Sequence, residues 1–152
     1  MLAIKVPEPM FAVINPVMRC LMRSPLHSML SDSILLISFT GRRSGKQFTT
    51  PVRYIEDDGV IHSFSSKDTR WWRNLEGGAD VTLRVKGEDR VYRANVLDDP
   101  DEIRGWLSIY LDRYPEDAVY HDVGINKNGT INILEFRRAC GKAVVVEAVL
   151  KQ

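Results

Sequence analysis

Apolar residues follow a helical period at the start of the chain. Asn15 is a favourable helix N-cap, and Pro16 suits the first helical position. Four apolar side chains then share one side of the predicted helix: Val17, Met18, Leu21 and Met22. We therefore expect residues 1–30 to form an N-terminal helical extension. Its apolar stripe with basic edges predicts packing on the rest of the domain, with peripheral contact to a membrane surface as the alternative.

Beyond residue 32 the period shortens to that of β-strands. Six short runs rich in β-branched and aromatic residues span residues 34–39, 48–55, 60–64, 81–85, 90–97 and 142–150. A short helix ending at Leu75 and a longer one beginning after Asp99-Pro100 interrupt them, and a loop is expected before Gly141 and the last strand. Because tight hairpins connect most of the runs, the sequence predicts an α+β fold, a mostly antiparallel small barrel or curled sheet flanked by helices.

Length and composition are typical of one globular domain spanning residues 1–152. The chain is 44% hydrophobic and 27% charged, with 21 basic and 20 acidic residues and a formal charge of +1. A dedicated nucleic-acid-binding protein carries a larger basic excess, so that class is disfavoured. The apolar runs are shorter than the roughly 20 residues that span a bilayer, and Cys20 and Cys140 match no metal spacing. We expect a soluble protein of the reducing cytoplasm.

Basic residues concentrate in the first third of the chain. Residues 1–53 contain seven Lys and Arg residues but only two acidic ones, whereas residues 97–122 contain eight acidic and two basic ones. Three of the cations lie within five residues at the tip of the first predicted hairpin, Gly41-Arg42-Arg43-Ser44-Gly45-Lys46. Their charges, the Ser44 hydroxyl and the amides of a Gly-containing turn suit a phosphate or several carboxylates. A solvated hairpin end is the alternative.

A second polar cluster follows the third predicted strand. Ser65-Ser66-Lys67 ends that strand and leads into Arg70-Trp71-Trp72-Arg73-Asn74-Leu75. Because adjacent tryptophans on so short a helix point in different directions, we expect one of them to line a groove or cover an aromatic ligand. The alternative is that both bracket an edge of the core.

One segment imitates a calcium-binding loop. Positions three, five, six, eight and twelve of such a loop are occupied by Asn126, Asn128, Gly129, Ile131 and Glu135. The first position, where an EF-hand has aspartate, is Gly124. The three histidines of the sequence also lack the paired spacing of a zinc site. We therefore predict no metal and interpret residues 124–135 as a turn-rich connection.

Together the two polar clusters resemble the deazaflavin-dependent nitroreductase family. The matching motifs are Gly41-Arg42-Arg43-Ser44-Gly45-Lys46, Thr49-Thr50-Pro51, Ser66-Lys67 and Trp71-Trp72-Arg73-Asn74-Leu75. Arg23-Ser24-Pro25-Leu26-His27 and Gly77-Gly78 add to the likeness, which runs from about Asn15 to Leu97. The resemblance implies a split β-barrel of the FMN-binding type, related to the pyridoxamine-phosphate oxidases.

The resemblance also implies a ligand, the 8-hydroxy-5-deazaflavin coenzyme F-420, whose phosphodiester and oligoglutamate tail are anionic. The tail would be held by Arg42, Arg43, Ser44, Gly45 and Lys46. The ring would lie along Thr50 and Pro51, and the cofactor site would be completed by Ser66, Lys67, Trp71 and Asn74. This chain departs from many relatives at Phe48, near which they carry a basic residue.

The implied reaction is hydride transfer from the reduced deazaflavin to an activated small-molecule acceptor, namely a nitroaromatic, a quinone or an enone. Candidate substrate-facing residues are Tyr110, Tyr114 and Tyr120, although Tyr110 and Tyr114 also fit the apolar stripe of their helix, for which core packing is favoured. An FMN-binding split-barrel oxidoreductase and a non-catalytic flavin- or deazaflavin-binding protein remain as alternatives. The sequence is compatible with a monomer or a homodimer.

Overall fold

The computed structural model describes residues 33–152. The expected N-terminal extension, its proposed membrane contact and Cys20 lie outside the described residues. Six strands are present: β1 (Ile34–Thr40), β2 (Gln47–Asp57), β3 (Val60–Ser66), β4 (Ala79–Val85), β5 (Glu88–Val96) and β6 (Ala143–Leu150). Two α-helices, α1 (Pro100–Arg113) and α2 (Ile133–Lys142), follow β5, and two 3-10 segments occupy Trp71–Leu75 and Pro115–His121.

The six strands close into one antiparallel barrel in the order β1-β2-β3-β6-β5-β4. Hairpins form three of the neighbouring pairs, and the barrel closes where β1 meets β4, with Ile37 opposite Leu83. Strand β6 inserts between β3 and β5, so that residues from the end of the chain pair with its middle. The predicted antiparallel barrel with flanking helices is confirmed.

Strand alternation divides the core into two layers, because successive side chains of a strand leave opposite faces. The barrel interior contains fourteen buried residues, among them Leu35, Ile37 and Leu83. A second layer lies between the barrel and the helices, where Phe64 and Val145 on the strands meet Leu107 of α1. Strands β3 and β6, which lie under the helices, therefore bury residues on both of their faces.

Helix α1 begins where the sequence predicts. Pro100 is its first residue, and the Asp99 carboxylate accepts a hydrogen bond from the Asp101 amide at 2.9 Å. This contact satisfies one of the amide groups that lack an intrahelical partner at a helix start. The helix then buries Leu107, Tyr110 and Leu111.

The loop expected between α1 and the last strand is wrong. It contains a 3-10 segment and α2, which is capped by Asn132 through a 3.1 Å bond from the Glu135 amide to its side-chain oxygen. Gly141 lies in the last turn of α2, and β6 begins at Ala143. Helix α2 forms because Phe136, Ala139 and Cys140 bring one side of it against the outer core layer, and this burial outweighs the low helix propensity of glycine.

The segment that imitates a calcium loop closes on itself. The Gly124 amide donates to a carboxylate oxygen of Glu135 at 2.9 Å, so the side chain at the twelfth loop position is already engaged by the backbone. Residues 33–152 contain no group of three or more His, Cys, Asp or Glu side chains that could hold a metal ion. In the same range, no helix combines the length and apolar character needed to cross a membrane.

Candidate functional site

The β1–β2 hairpin tip, residues Gly41–Lys46, is held by its own backbone and is called the basic tip below. The Gly41 amide donates to the Lys46 carbonyl at 2.8 Å, and the Gly45 amide donates to the Gly41 carbonyl at 2.9 Å. Gly45 has φ +69°, a left-handed conformation that glycine adopts without strain. The Ser44 hydroxyl oxygen accepts from the Lys46 amide at 3.2 Å. The turn is therefore closed internally, while the side chains of Arg42 and Arg43 stay exposed.

The 3-10 segment Trp71–Leu75 lies across the same end of the barrel. The Trp71 indole donates to the Ser65 hydroxyl at 3.1 Å, and the Trp72 indole donates to the carbonyls of Ser66 at 3.1 Å and Thr69 at 2.9 Å. Both tryptophans are half-buried and pack against the barrel interior, as the alternative that both bracket an edge of the core describes. That one of them also lines a groove or covers an aromatic ligand stays a prediction. Both indoles can reach this core because their N–H groups bond to the end of β3 and the turn after it, which removes the cost of burying them unpaired.

Asn74 joins the two loops. Its side-chain oxygen accepts from the Arg42 amide at 2.9 Å, and its side-chain nitrogen donates to the Trp71 carbonyl at 2.9 Å. A single amide group therefore fixes the basic tip relative to the 3-10 segment. The two loops are 32 residues apart in sequence at this contact.

A cleft of about 730 Å³ lies between these loops and is called the arginine cleft below. It is lined by Gly41, Arg42, Arg43, Ser44, Phe48, Arg70, Arg73, Asn74 and Glu76. Four guanidinium groups thus face one carboxylate. Within residues 33–152, no acidic side chain forms an ion pair with Arg42, Arg43 or Arg73. Unneutralised guanidinium groups in a concave site favour a ligand with several negative charges.

One aromatic ring, that of Phe48, lines this cleft and is in contact with further aromatic rings. Phe48 is 46% exposed and stacks on Phe39 with ring centroids 5.8 Å apart, and Phe39 in turn lies 6.0 Å from Trp71. A Cβ atom on Gly41 would come within 2.7 Å of the Phe48 ring. Glycine at position 41 therefore lets the backbone of the basic tip approach Phe48 closely.

Of the eleven predicted cofactor-binding residues, the structure brings four to the wall of the arginine cleft: Arg42, Arg43, Ser44 and Asn74. Gly45 and Lys46 belong to the same tip but do not line the cleft, and Trp71 lies beneath it against Phe39. Thr50 and Pro51 are neighbours on β2, opposite Ile37 and Leu36, so their side chains leave opposite faces of the sheet.

Ser66 and Lys67 lie at the end of β3, outside the cleft wall. The Ser66 hydroxyl oxygen accepts from the Asp68 amide at 3.0 Å. The Lys67 amide donates to the Lys142 carbonyl at 2.9 Å, while its side chain is exposed. Both residues therefore contribute hydrogen bonds that shape the turn leading into the 3-10 segment.

The sequence reasoning omitted Arg70 and Arg73 from the site. A signal was present, because a 3-10 helix has three residues per turn and residues i and i+3 lie on the same side. Arg70 and Arg73 have this spacing, and both line the cleft. The Arg73 guanidinium also lies 5.5 Å from the centroid of the Trp72 ring, a cation–π contact that fixes its position.

The candidate tyrosines lie elsewhere. Tyr110 is 1% exposed, stacks on Phe64 at 4.1 Å and donates from its hydroxyl to the Asp117 carboxylate at 2.6 Å. Arg53 pairs with the same carboxylate at 2.7 Å. The Tyr110 hydroxyl therefore faces a buried ion pair rather than the arginine cleft. For Tyr120, the structure describes no side-chain position.

Tyr114 lines a second cleft of about 560 Å³ together with Tyr54 and Arg113. This cleft lies near the far end of β2, and seven residues of strand, roughly 23 Å, separate Tyr54 from the start of β2 beside the basic tip. The structure thus separates the predicted tyrosines from the predicted tail-binding residues.

The sequence of this chain is similar to a known protein family and to a protein of that family. The model of the F420H(2)-dependent quinone reductase family matches residues 23–135. A protein of Mycobacterium tuberculosis (strain ATCC 25618 / H37Rv), named "Putative F420H(2)-dependent quinone reductase Rv3178", is 30% identical over 77 residues. The match covers 47% of this chain and 65% of the relative, so this chain spans less than two thirds of the length of that relative.

Solved structures share the fold at low sequence identity. One, described as an F420-H2 dependent reductase (FDR-A), has a TM-score of 0.53 at 18% identity and covers 78% of this chain and 94% of its own. Another, described as a domain-swapped dimer, has a TM-score of 0.54 at 20% identity and covers 92% of this chain and 99% of its own. The family match includes both walls of the arginine cleft. The chain therefore belongs to the F420H(2)-dependent quinone reductase family.

Proposed function

We propose that this protein is an oxidoreductase that binds reduced coenzyme F-420 and passes its hydride to a quinone or another activated acceptor, such as a nitroaromatic or an enone. The observation that carries the proposal is the arginine cleft, in which four guanidinium groups surround a space of about 730 Å³ beside exposed aromatic surface. The family to which the chain belongs supports the choice of coenzyme.

The residues of the cleft fit the anionic tail of this coenzyme. A phosphodiester and a short run of carboxylates place several negative charges in a row. Arg42 and Arg43 on one wall and Arg73 on the other offer planar, fork-shaped donors that bind such groups in pairs. Ser44 would add a hydroxyl, and Gly45 and Lys46 would extend the site at its rim. Asn74 would keep the two walls in register through its bonds to both loops.

The ring system would meet the apolar part of the site. Phe48 presents exposed aromatic surface there, and Thr50 faces the same side of β2, two residues further on. The side chain of Pro51 leaves the opposite face of β2. Pro51 would therefore contact the ring through its backbone, next to Thr50. Ser66, Lys67 and Trp71 would support the site from below. When bound, the coenzyme supplies the hydride, and the chain contributes binding, orientation and exclusion of water.

Contact with the acceptor is proposed for Tyr114 and Tyr120. No such role is proposed for Tyr110, because its hydroxyl donates to Asp117 and its ring is buried against Phe64. Replacing Tyr114 by phenylalanine should lower kcat/KM for the acceptor while leaving coenzyme affinity unchanged. An unchanged kcat/KM would remove Tyr114 from the acceptor site.

Fluorescence titration tests the proposal. The purified protein is titrated separately with oxidised coenzyme F-420 and with FMN, following ligand and tryptophan emission. Micromolar affinity for F-420 alone is expected, followed by quinone-dependent oxidation of the reduced coenzyme. Preference for FMN would replace the cofactor but keep the fold. Binding without turnover for any acceptor would indicate a carrier protein, and binding of neither ligand would contradict the proposal.

The assembly of the protein is a separate part of the proposal. A structural neighbour is described as a domain-swapped dimer, which favours a homodimer over a monomer for this chain. Light scattering coupled to size-exclusion chromatography distinguishes the two, and a mass near 17.3 kDa would exclude the dimer.

A further inference from the structure

The start of helix α2 exposes two large apolar side chains to solvent. Ile133 is 65% exposed and Leu134 is 72% exposed, the highest values among large apolar residues in the described part of the chain. Ile125, 48% exposed, lies on the loop before α2 and forms a β-bridge to Ile131. Adjacent exposed apolar residues of this size mark an interaction surface more often than isolated ones do.

The same face of α2 continues with cations. Its exposed positions follow the spacing i, i+1, i+4, i+5, i+8, i+9, which describes one side of an α-helix, and they are Ile133, Leu134, Arg137, Arg138, Gly141 and Lys142. The opposite side carries Phe136, Ala139 and Cys140 and packs against the outer core layer. The outer face of α2, defined by the six exposed residues, is therefore apolar at its start and basic over the rest of its length.

The outer face of α2 itself carries no acidic side chain. Glu135, the only acidic residue of α2, is half-buried and accepts a hydrogen bond from the Gly124 amide. On the neighbouring helix α1, Asp101 is paired with Arg104 at 2.8 Å. Three cations on the outer face of α2 thus lack a carboxylate on the same face.

We propose that the outer face of α2 docks on an anionic lipid surface. A helix at such a surface buries apolar side chains among the acyl chains, while arginine and lysine extend along it to reach the phosphates. Ile133 and Leu134 supply the apolar part, and Arg137, Arg138 and Lys142 supply the charge. A polynucleotide could bind the cations, but it would not account for the exposed Ile133 and Leu134. Docking is independent of the proposed reductase activity.

Co-sedimentation with vesicles tests this docking. The full chain is mixed with vesicles of phosphatidylcholine alone or with phosphatidylglycerol added, at low and high salt. We expect binding to the anionic vesicles only, weakened by salt. Replacing Arg137 and Arg138 by glutamine should weaken binding about fivefold for each charge removed. Replacing Ile133 and Leu134 by serine should weaken it about tenfold or more.

Ile109→Ser provides a matched control. Ile109 is 47% exposed but lies on α1, so its replacement should leave vesicle binding unchanged. Thermal unfolding of every variant checks that the fold is retained. Absence of binding to anionic vesicles would overturn the proposal, as would binding that all α2 variants retain, which would place the contact elsewhere, for example in residues 1–30. A lipid-independent dimer that the α2 variants lose would assign the face to a second copy of the chain.

Discussion

Asn74 shows how one amide group defines a site. It accepts from the Arg42 amide and donates to the Trp71 carbonyl, each at 2.9 Å, so it uses both ends of its side chain to connect two loops. Neither bond involves a ligand. The residue therefore positions the arginines without needing to touch what they bind, and its loss should alter the site more than the barrel.

Asn74→Ala should weaken both the site and, to a smaller extent, the fold. Two hydrogen bonds are lost, an exposed one from the Arg42 amide and a partly buried one to the Trp71 carbonyl. Together they are worth about 1 kcal/mol, which corresponds to a Tm lower by about 2–4 °C for a chain of this size. Coenzyme affinity should fall several-fold because the Arg42 amide loses its anchor. Calorimetric unfolding and fluorescence titration measure the two effects, and unchanged affinity would show that Asn74 does not position the cleft.

Substitutions at two glycines of the basic tip should act through different causes, a steric clash at Gly41 and backbone strain at Gly45. At Gly41 a new Cβ would approach Phe48 within 2.7 Å and the Ser44 hydroxyl within 2.8 Å, whereas at Gly45 nothing lies within 4 Å but φ is +69°. Gly41→Ala should displace cleft residues and weaken coenzyme binding. Gly45→Ala should cost about 1 kcal/mol of stability through its left-handed backbone. Equal affinities of both variants would contradict this division.

At the scale of elements, α1 covers the barrel partly through a buried histidine. His62 on β3 is 1% exposed, stacks on Trp106 of α1 with centroids 3.6 Å apart and bonds to Glu147 of β6 at 3.1 Å. Burial lowers the pKa of His62 below its usual 6.5, although Glu147 opposes the shift. The helix therefore rests on an imidazole that is held neutral in the folded state.

This burial makes stability depend on pH. Because the pKa of His62 is lower in the folded state, the unfolded chain binds the proton first as the pH falls below about 6.5, so the free energy of unfolding decreases with acidification. His62→Gln cannot titrate and should lose less stability between about pH 7.5 and 5.5. Urea unfolding at both pH values measures the difference. Parallel pH dependence in the two proteins would exclude His62 as the cause.

The elements also show where sequence patterns succeed and fail. All six strands and α1 follow from period, turn residues and the Asp99-Pro100 start signal. Helix α2 was missed because Gly141 and the resemblance to a calcium loop favoured a connection. Its cap at Asn132 is visible in sequence, but the burial of Phe136 and Ala139 against the barrel is decided by strands far away along the chain.

At the scale of the whole molecule, the fold brings four arginines of the described chain, Arg42, Arg43, Arg70 and Arg73, into one cleft. Replacing Arg42 and Arg43 by alanine should weaken coenzyme F-420 binding about tenfold or more, since each removes a charge-assisted contact, and should leave Tm nearly unchanged because both side chains are exposed. Arg90→Ala is the control, because Arg90 is exposed but paired with Glu88 on the β4–β5 hairpin. Comparable losses in the control and the double variant would remove the assigned tail site.

The basic tip was predictable as an anion site because its cations are neighbours in sequence. On the second wall, the resemblance implied Asn74 and the spacing of Arg70 and Arg73 indicated a shared side, but only the fold shows that these residues lie opposite the basic tip. The environment of the tyrosines was predictable only in part. Helical spacing places Tyr110 and Tyr114 on one stripe, but only the fold shows that the Tyr110 hydroxyl donates to Asp117. Sites formed by neighbouring residues could thus be predicted from the sequence. Contacts between residues that come from different elements could not.

The pairing of β1 with β4, which closes the barrel, links ligand binding to the stability of the fold. One wall of the arginine cleft precedes β2 and the other precedes β4, and the folded chain, in which residues 36–38 pair with residues 82–84, brings the two walls together. A ligand that bridges the walls binds the closed barrel and not the unfolded chain. At a free concentration 100 times its Kd it adds about 2.7 kcal/mol to the free energy of unfolding. We therefore expect a supply of the proposed coenzyme to raise the resistance of the protein to heat and proteolysis.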